Sequence, residues 1–464
     1  MPMLARRLAE YALSIGFERL PPEDVHEVKR RVLDSLGCAY GAYHSDVARI
    51  ARAVAGGCEA RPGATVWGTT QRSLPALAAF ANGAMVRYLD YNDTYLSLEP
   101  AHPSDNIPAC AAAAEAANAD GRALIAAILL AYEIQCRLCD AATIRRRGWD
   151  HVTYGYFSTA LAAGRLMGLD ADRLEQAVNL AGVNSAALRQ TRVGQLSMWK
   201  GCAFANAARN GLFAAWLAAE GMTGPEEIFE GPMGFWCQVS GPFHLGTLGS
   251  EGEPFMIRQT SIKFWPAEYH SQSAIDAALA LRGEIQDLDA IEAVDVYSFD
   301  AAVDIIGGEP EKWRPTTRET ADHSLPYCIA VALMDGAVDL EQFSEARIAD
   351  PALHALMDRI QIHRDAELTA RYPEGIPNRL EVTLRGGTRL AREITYPRGH
   401  ARNPMTDAEV EAKFTRLARN VLPEAQVGQI RDLVWRLDTL TDLAEFTAAL
   451  VVPKAFGTDR LRLR

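Results

Sequence analysis

AIEAVDVYS, residues 290–298, alternates apolar and polar side chains over most of its length. That period of two is the signature of a strand with one buried face. It matters because nothing like it precedes it. From residue 1 to about 255 the chain reads as helix after helix: Pro22 to about Ala42, Pro75–Leu89, Ser104–Asn118, Arg122–Cys139, Ser158–Met167 and Ala203–Ala219. Apolar residues recur there every three to four positions, and Ala and Leu are frequent. Downstream, residues 379–384 and 389–396 flank Arg385-Gly386-Gly387-Thr388, which predicts a β-hairpin with a Gly-Gly turn. Helical patterns at Ser271–Leu281 and His323–Met334 lie on either side of the strand. From Thr406 to Leu450 the pattern is helical again, opened by a Thr cap with Glu409 three residues later. The expectation is a mainly α protein with an inserted α+β domain. The helical domain takes residues 1–258 and 398–464, and the α+β domain takes 259–397.

The 464 residues are 48% hydrophobic and 23% charged, with a net charge of −12. Such a chain packs a normal core. An acidic surface attracts neither nucleic acid nor an anionic membrane. It leaves room for an acidic substrate, because a few buried cations make a local positive site. Met1–Phe17 is amphipathic and carries no signal-peptide core. No apolar run reaches the ~20 residues that span a bilayer. A cytoplasmic location is expected, with the eight cysteines reduced and mostly inside apolar helical patterns.

Three places put polar residues into apolar surroundings. The first is Asp90-Tyr91-Asn92-Asp93-Thr94 followed by Ala101-His102-Pro103-Ser104-Asp105-Asn106, a loop between two apolar helices. It offers a carboxylate, a hydroxyl and an imidazole in one short stretch. The free N–H groups of the helix that starts at Pro103 or Ser104 suit a carboxylate ligand. Helix capping is the competing explanation for Asp and Ser at such a place. The second place is lysine. The chain has only six, and two of them, Lys200 in Met198-Trp199-Lys200-Gly201-Cys202 and Lys263 in Ile262-Lys263-Phe264-Trp265-Pro266, have apolar neighbours. A desolvated ammonium needs an anionic partner or a lowered pKa, and either suits carboxylate binding or proton transfer. Snorkelling of the amine to water is the ordinary alternative. The third comprises His151 after Trp149-Asp150, His270 just past Lys263, and Tyr327 at the start of an apolar helix.

Metal and nucleotide signatures are weak. Cys136-Arg137-Leu138-Cys139 is a C-x-x-C that could serve an iron–sulfur cluster, but it sits mid-helix in AAILLAYEIQCRLC and reads as two core thiols. No H-E-x-x-H, P-loop, G-x-G-x-x-G or G-x-S-x-G occurs. No metal and no organic cofactor is expected.

Taken together, the polar breaks resemble the MmgE/PrpD family. The resemblance rests on Leu89 to Thr94 with Ala101 to Asn106, on Gly148-Trp149-Asp150-His151, and on Trp199-Lys200 with Asn206 and Gly211. It continues through Lys263 to Gln272, Ala321-Asp322-His323-Ser324-Leu325-Pro326-Tyr327 and Gly399-His400-Ala401-Arg402-Asn403-Pro404. It covers essentially the whole chain in order. The resemblance implies a helical domain made from both chain ends, an inserted α+β lid, a homodimer, and an active site between domain and lid. It places Asp90, His102, His151, Lys200, Lys263 and Tyr327 as catalytic residues, and Thr94, Ser104 and His270 as substrate-binding residues. The family's decarboxylase has a histidine where this chain has Glu268, so the segment is closer to the dehydratase pattern.

The implied substrate is a di- or tricarboxylic acid, and the implied reaction loses water after a proton is taken next to a carboxylate. Lys200, Lys263 and the helix start after His102 are expected to hold the carboxylates and the enediolate-like charge. His102 or Asp90 is the expected base, and Tyr327, His151 or a lysine the expected acid. Decarboxylation or epimerisation through the same carbanion-like intermediate is the alternative within the family. An inactive member that only binds an acid is the alternative of another class.

Overall fold

The computed structural model describes residues 3–185 and 187–457. They divide into two compact units. The first takes the chain up to Val193, then Met198–Thr260, then from Thr406 onward; the second takes Gly194–Ser197 and Ser261–Met405.

The first unit is mainly helical, but the strand Glu59–Thr65 pairs antiparallel with Arg72–Ser73, which the helical reading of residues 1–258 did not anticipate. Its main elements are α1 (Leu4–Ser14), α2 (Pro22–Gly41), α3 (Asp46–Gly56), α4 (Pro75–Tyr88), α5 (Ile107–Ala116), α6 (Gly121–Ala141), α7 (Tyr154–Leu166), α8 (Ala171–Val183) and α9 (Trp199–Ala219). Proline at the first position starts α2 and α4, where a missing N–H costs nothing. α4, α7 and α8 pack on α9, and α2 packs on α4 and on Asp407–Ala418. Small residues allow the close approaches. A Cβ on Gly37 would meet the Phe414 backbone at 3.1 Å, and one on Gly211 would meet Tyr156 O at 2.6 Å. Thr406 and Glu409 form the expected reciprocal cap of Asp407–Ala418. The helical pattern to Leu450 is broken into Asp407–Ala418, Glu424–Trp435 and Ala444–Ala449.

The second unit is built on a four-stranded sheet. The order is Ile360–Arg364, Ile291–Ser298, Asn378–Leu384, Arg389–Ile394. Ile291–Ser298 is parallel to Ile360–Arg364 and antiparallel to Asn378–Leu384. Val294 and Val296 are buried on one face, as the alternation predicts. The hairpin turn holds Gly386 and Gly387 at φ of 94° and 85°, a conformation that glycine adopts without penalty. α10 (Gln272–Arg282) lies on the hairpin strands, and Leu325–Asp335 packs on α10. Among the described residues, no helix is long and apolar enough to cross a membrane.

Candidate active site

The end of α4 sets the geometry. Two residues beyond its last turn, Asp90 takes a φ of 50°, a left-handed conformation that aspartate tolerates better than most residues. The next residue is fastened from the chain's far end. Lys413 Nζ donates to Tyr91 O at 2.7 Å and lies 3.8 Å from the centre of the Tyr91 ring. It also pairs with buried Asp34 at 2.6 Å. Arg416 donates to the Tyr91 hydroxyl at 2.6 Å. These contacts turn the Asp90 side chain into a position that α4 alone would not give it.

Asp90, 1% exposed, is gripped on both oxygens. Arg87 Nη1 donates to Oδ1, and Lys200 Nζ lies 3.5 Å from Oδ2. Arg87 Nη2 is 3.0 Å from His102 Nε2, and His102 Nδ1 is 2.7 Å from Asp93 O. A guanidinium only donates and a carbonyl only accepts, so the tautomer follows: Nδ1 carries the hydrogen and Nε2 is the acceptor. Lys200 is 1% exposed in the first turn of α9, which begins four residues before the position expected from sequence. The apolar surroundings read from sequence therefore belong to a buried ammonium beside a carboxylate rather than to a snorkelling side chain.

Asp93 and Ser104 build the scaffold beneath this set. Asp93 Oδ1 accepts from Ser104 N at 3.0 Å and Ser104 Oγ at 2.6 Å, and Oδ2 accepts from the Tyr132 hydroxyl at 2.7 Å. Ser104 Oγ in turn accepts from Asn92 at 2.9 Å. The Ser104 hydroxyl is thus committed to holding the loop on the turn Pro103–Asn106 that leads into α5. The Thr94 hydroxyl donates to Ala101 O at 3.3 Å across the same loop.

A second imidazole completes the group. Asp150 caps the turn His151–Thr153 ahead of α7. Its Oδ1 is 3.0 Å from His151 Nδ1, and its Oδ2 accepts from Arg192 Nε at 2.9 Å. Burial pushes the Asp150 carboxyl up, but Arg192, His151 and the Val152 N–H outweigh it, and the group stays below the usual carboxylate range. His151 is lowered as well, which for an imidazole favours the neutral form. Burial is the main cause, Arg192, Arg87 and Arg189 add to it, Asp150 opposes them, and the imidazole falls to about 3. A neutral His151 with its hydrogen on Nδ1 presents Nε2 as a base. Its ring centre lies 5.9 Å from that of His102.

The second unit carries its own charged cluster. Glu268 accepts from the His270 backbone N–H at 2.7 Å and lies 2.7 Å from His270 Nδ1. Burial raises Glu268, but His270, His323 and Lys263 together bring it down to about 2. His270 Nε2 is 3.4 Å from the Tyr372 hydroxyl. Lys263 is 1% exposed. The Tyr327 hydroxyl donates to Gln342 O at 2.5 Å, which ties the helix Leu325–Asp335 to the turn Leu340–Phe343.

Of the residues singled out from sequence, the structure brings Asp90, His102, His151 and Lys200 together in the first unit, with Thr94 and Ser104 bracing the loop. Lys263, His270 and Tyr327 belong to the second unit. Sequence reasoning passed over Arg87 and Arg192, and it quoted Asp105 within the first polar break without giving it a role. Arg87 had a signal: it is an arginine inside the apolar run NGAMVRYLD, one helical turn before Asp90. Arg192 had none, because its role depends on the chain doubling back so that Asp150 N reaches Ala187 O at 2.8 Å. Cys136 and Cys139 are both buried in α6, where burial pushes their thiols well up. A metal-binding thiolate needs the opposite shift.

The MmgE/PrpD N-terminal domain model matches residues 6–247, and the MmgE/PrpD C-terminal domain model matches residues 265–439. The chain is 30% identical to a Cupriavidus necator protein named 2-methylcitrate dehydratase, over 85% of this chain and 86% of that one. It is 29% identical to the 2-methylcitrate dehydratase of Escherichia coli K12, over 80% and 81%. It is 26% identical to the cis-aconitate decarboxylase of Homo sapiens, over 96% and 93%.

Proposed function

The chain belongs to the MmgE/PrpD family, and from that premise we propose that it is a cofactor-independent carbon–oxygen lyase that removes water from 2-methylcitrate or a closely similar tricarboxylate. The observation that carries the chemistry is the neutral His151, held by ionised Asp150 beside the Arg87–Asp90–Lys200 cluster. His151 Nε2 takes the carbon-bound proton next to a carboxylate. Asp150 stabilises the imidazolium that forms, as a carboxylate behind a histidine does in other enzymes. Lys200 and Arg87 carry the charge that grows on the enediolate. The C–O bond to the neighbouring carbon then breaks, and the imidazolium returns its proton to the departing hydroxide as water. Asp90 keeps both oxygens on cations and positions them rather than acting as the base.

Decarboxylation of a cis-aconitate-like acid is the second reading, supported by the similarity to the human protein over almost the whole chain. Glu268, held ionised, favours the first, since the family resemblance implies a histidine at this position in the decarboxylase. Incubation with 2-methylcitrate, citrate and cis-aconitate, followed by proton NMR of the products, separates the two. Water loss from a hydroxy acid supports the lyase. Carbon dioxide release from cis-aconitate with no dehydration of any hydroxy acid overturns it. A homodimer belongs to the same reading. Exposed Leu188, Met198, Trp199 and Phe213 give the first unit apolar surface for self-association, and sedimentation velocity tests it. So does a cytoplasmic location, tested by cell fractionation.

A further inference from the structure

We propose that Asp105 is a positioning residue whose carboxyl acts through Arg87, taking up a proton when an anionic substrate binds and so leaving the local cations uncancelled. The inference rests on the tricarboxylate reading above and deepens it.

Asp105 lies on the turn Pro103–Asn106, 2% exposed. Its Oδ1 accepts from Asn92 Nδ2 at 2.8 Å. Among the described residues its Oδ2 has no hydrogen-bond partner, and it faces Arg87 Nε at 3.7 Å, an ion pair without a hydrogen bond. Arg87 cannot close that gap, because its two terminal nitrogens are turned to Asp90 and His102. A carboxylate left this way in a buried site is costly, and taking a proton relieves the cost.

The groups that face Asp105 come from several elements. α4 brings Arg87, and the segment at Arg189–Arg192 brings Arg192; both favour the ionised form. The loop after α4 brings Asp93, which opposes it, and the neutral Asn92. Asp93 is offset by its own neighbour Arg31, at 3.7 Å. Burial outweighs all of them and lifts the Asp105 carboxyl to about 7. At neutral pH the group is therefore divided between its two states, and a nearby charge decides between them.

That division has a consequence for the site. Arg87, Lys200 and Arg192 face Asp90 and Asp150, three cations against two carboxylates. With Asp105 protonated the group keeps one net positive charge. With Asp105 ionised it is neutral. A carboxylate arriving at Arg87 or Lys200 disfavours a second anion behind Arg87, so it draws a proton onto Asp105. Binding and protonation are linked, and affinity falls as pH rises above about 7.

Calorimetric titration of the intact protein with citrate at pH 8, in phosphate and in Tris, reads the proton directly from the difference in heat between buffers. The wild-type protein is expected to take up a fraction of a proton. Its Kd for citrate is expected to rise toward tenfold per pH unit above pH 8. Asp105→Asn mimics the protonated state, and it should abolish the excess uptake and flatten the Kd between pH 6.5 and 8.5. Uptake and pH dependence that survive unchanged in Asp105→Asn overturn the inference and leave the lyase reading standing. Failure of citrate, 2-methylcitrate and cis-aconitate all to bind the wild-type protein overturns both. Should Asp105→Asn not fold, infrared difference spectra of the wild-type protein serve instead. Citrate must increase a protonated-carboxyl band at pH 8, and its absence refutes the proposal.

Discussion

His151 Nδ1 and Asp150 Oδ1 lie 3.0 Å apart in a buried corner of the helical unit, and the pair works because both members are held deprotonated. Asp150 is held ionised, and His151 is held neutral. Asp150→Asn keeps the shape and removes the charge. The amide can also donate to the ring and select the wrong tautomer. On 2-methylcitrate this variant should lose about 10²–10⁴ in kcat, the range that a positioned base contributes, with a much smaller change in KM. A kcat within threefold of wild type would remove His151 from the proton-transfer step.

Asp90 keeps Arg87 as a partner when Lys200 is removed. Lys200→Ala should cost ~10²–10³ in rate, the cost of removing one preorganised charge stabiliser. Circular dichroism should be unchanged. Full turnover by Lys200→Ala on every tricarboxylate tried would show that the ammonium is structural.

Much of this arrangement can be read in the sequence, and the unread part has a physical cause. The strand Ile291–Ser298 and the Gly-Gly hairpin declare themselves through period-two alternation and turn chemistry, and both formed. The strand Ile360–Arg364 did not. It has five residues, and its place beside Ile291–Ser298 depends on a parallel pairing across more than sixty residues. The polar breaks likewise pointed to Asp90, His102, His151 and Lys200, since polar groups in apolar helices are costly unless used. Local pattern could not show which partner each hydroxyl takes. Ser104 donates to Asp93 and Tyr327 to Gln342 O, and both partners are set by tertiary packing.

Glu268 gives a stability test confined to the second unit. Its folded-state pKa, about 2, lies below the ordinary carboxylate value. A depressed carboxyl stabilises the fold above its unfolded pKa, and the contribution disappears as pH falls through the folded value. Glu268→Gln should therefore be less stable than wild type by on the order of 2–3 kcal/mol at pH 7. The two proteins should converge as pH approaches 2, measured by urea unfolding across that range. An equal loss at all pH values would mean that Glu268 acts through packing and not through its charge.

Lys413 links the far end of the chain to the loop that carries Asp90, and its partner Asp34 makes the link testable. Both side chains are buried, at 3% and 1% exposure. Burial pushes the Asp34 carboxyl up, and Lys413 is the principal group that opposes it. Lys413→Met keeps the length of the stem and removes the charge. It leaves Asp34 as a buried carboxylate without its cation, which typically costs about 3–5 kcal/mol. It also releases Tyr91 O, next to Asp90. The variant should lose stability in urea and activity together. Lys413→Met with Asp34→Asn should recover most of the stability, because no uncompensated charge remains. Activity should stay low in the double variant, since Tyr91 O has still lost the Lys413 ammonium. Recovery of both would show that the lysine serves only to neutralise Asp34, and recovery of neither would show that the stem's packing matters more than its charge.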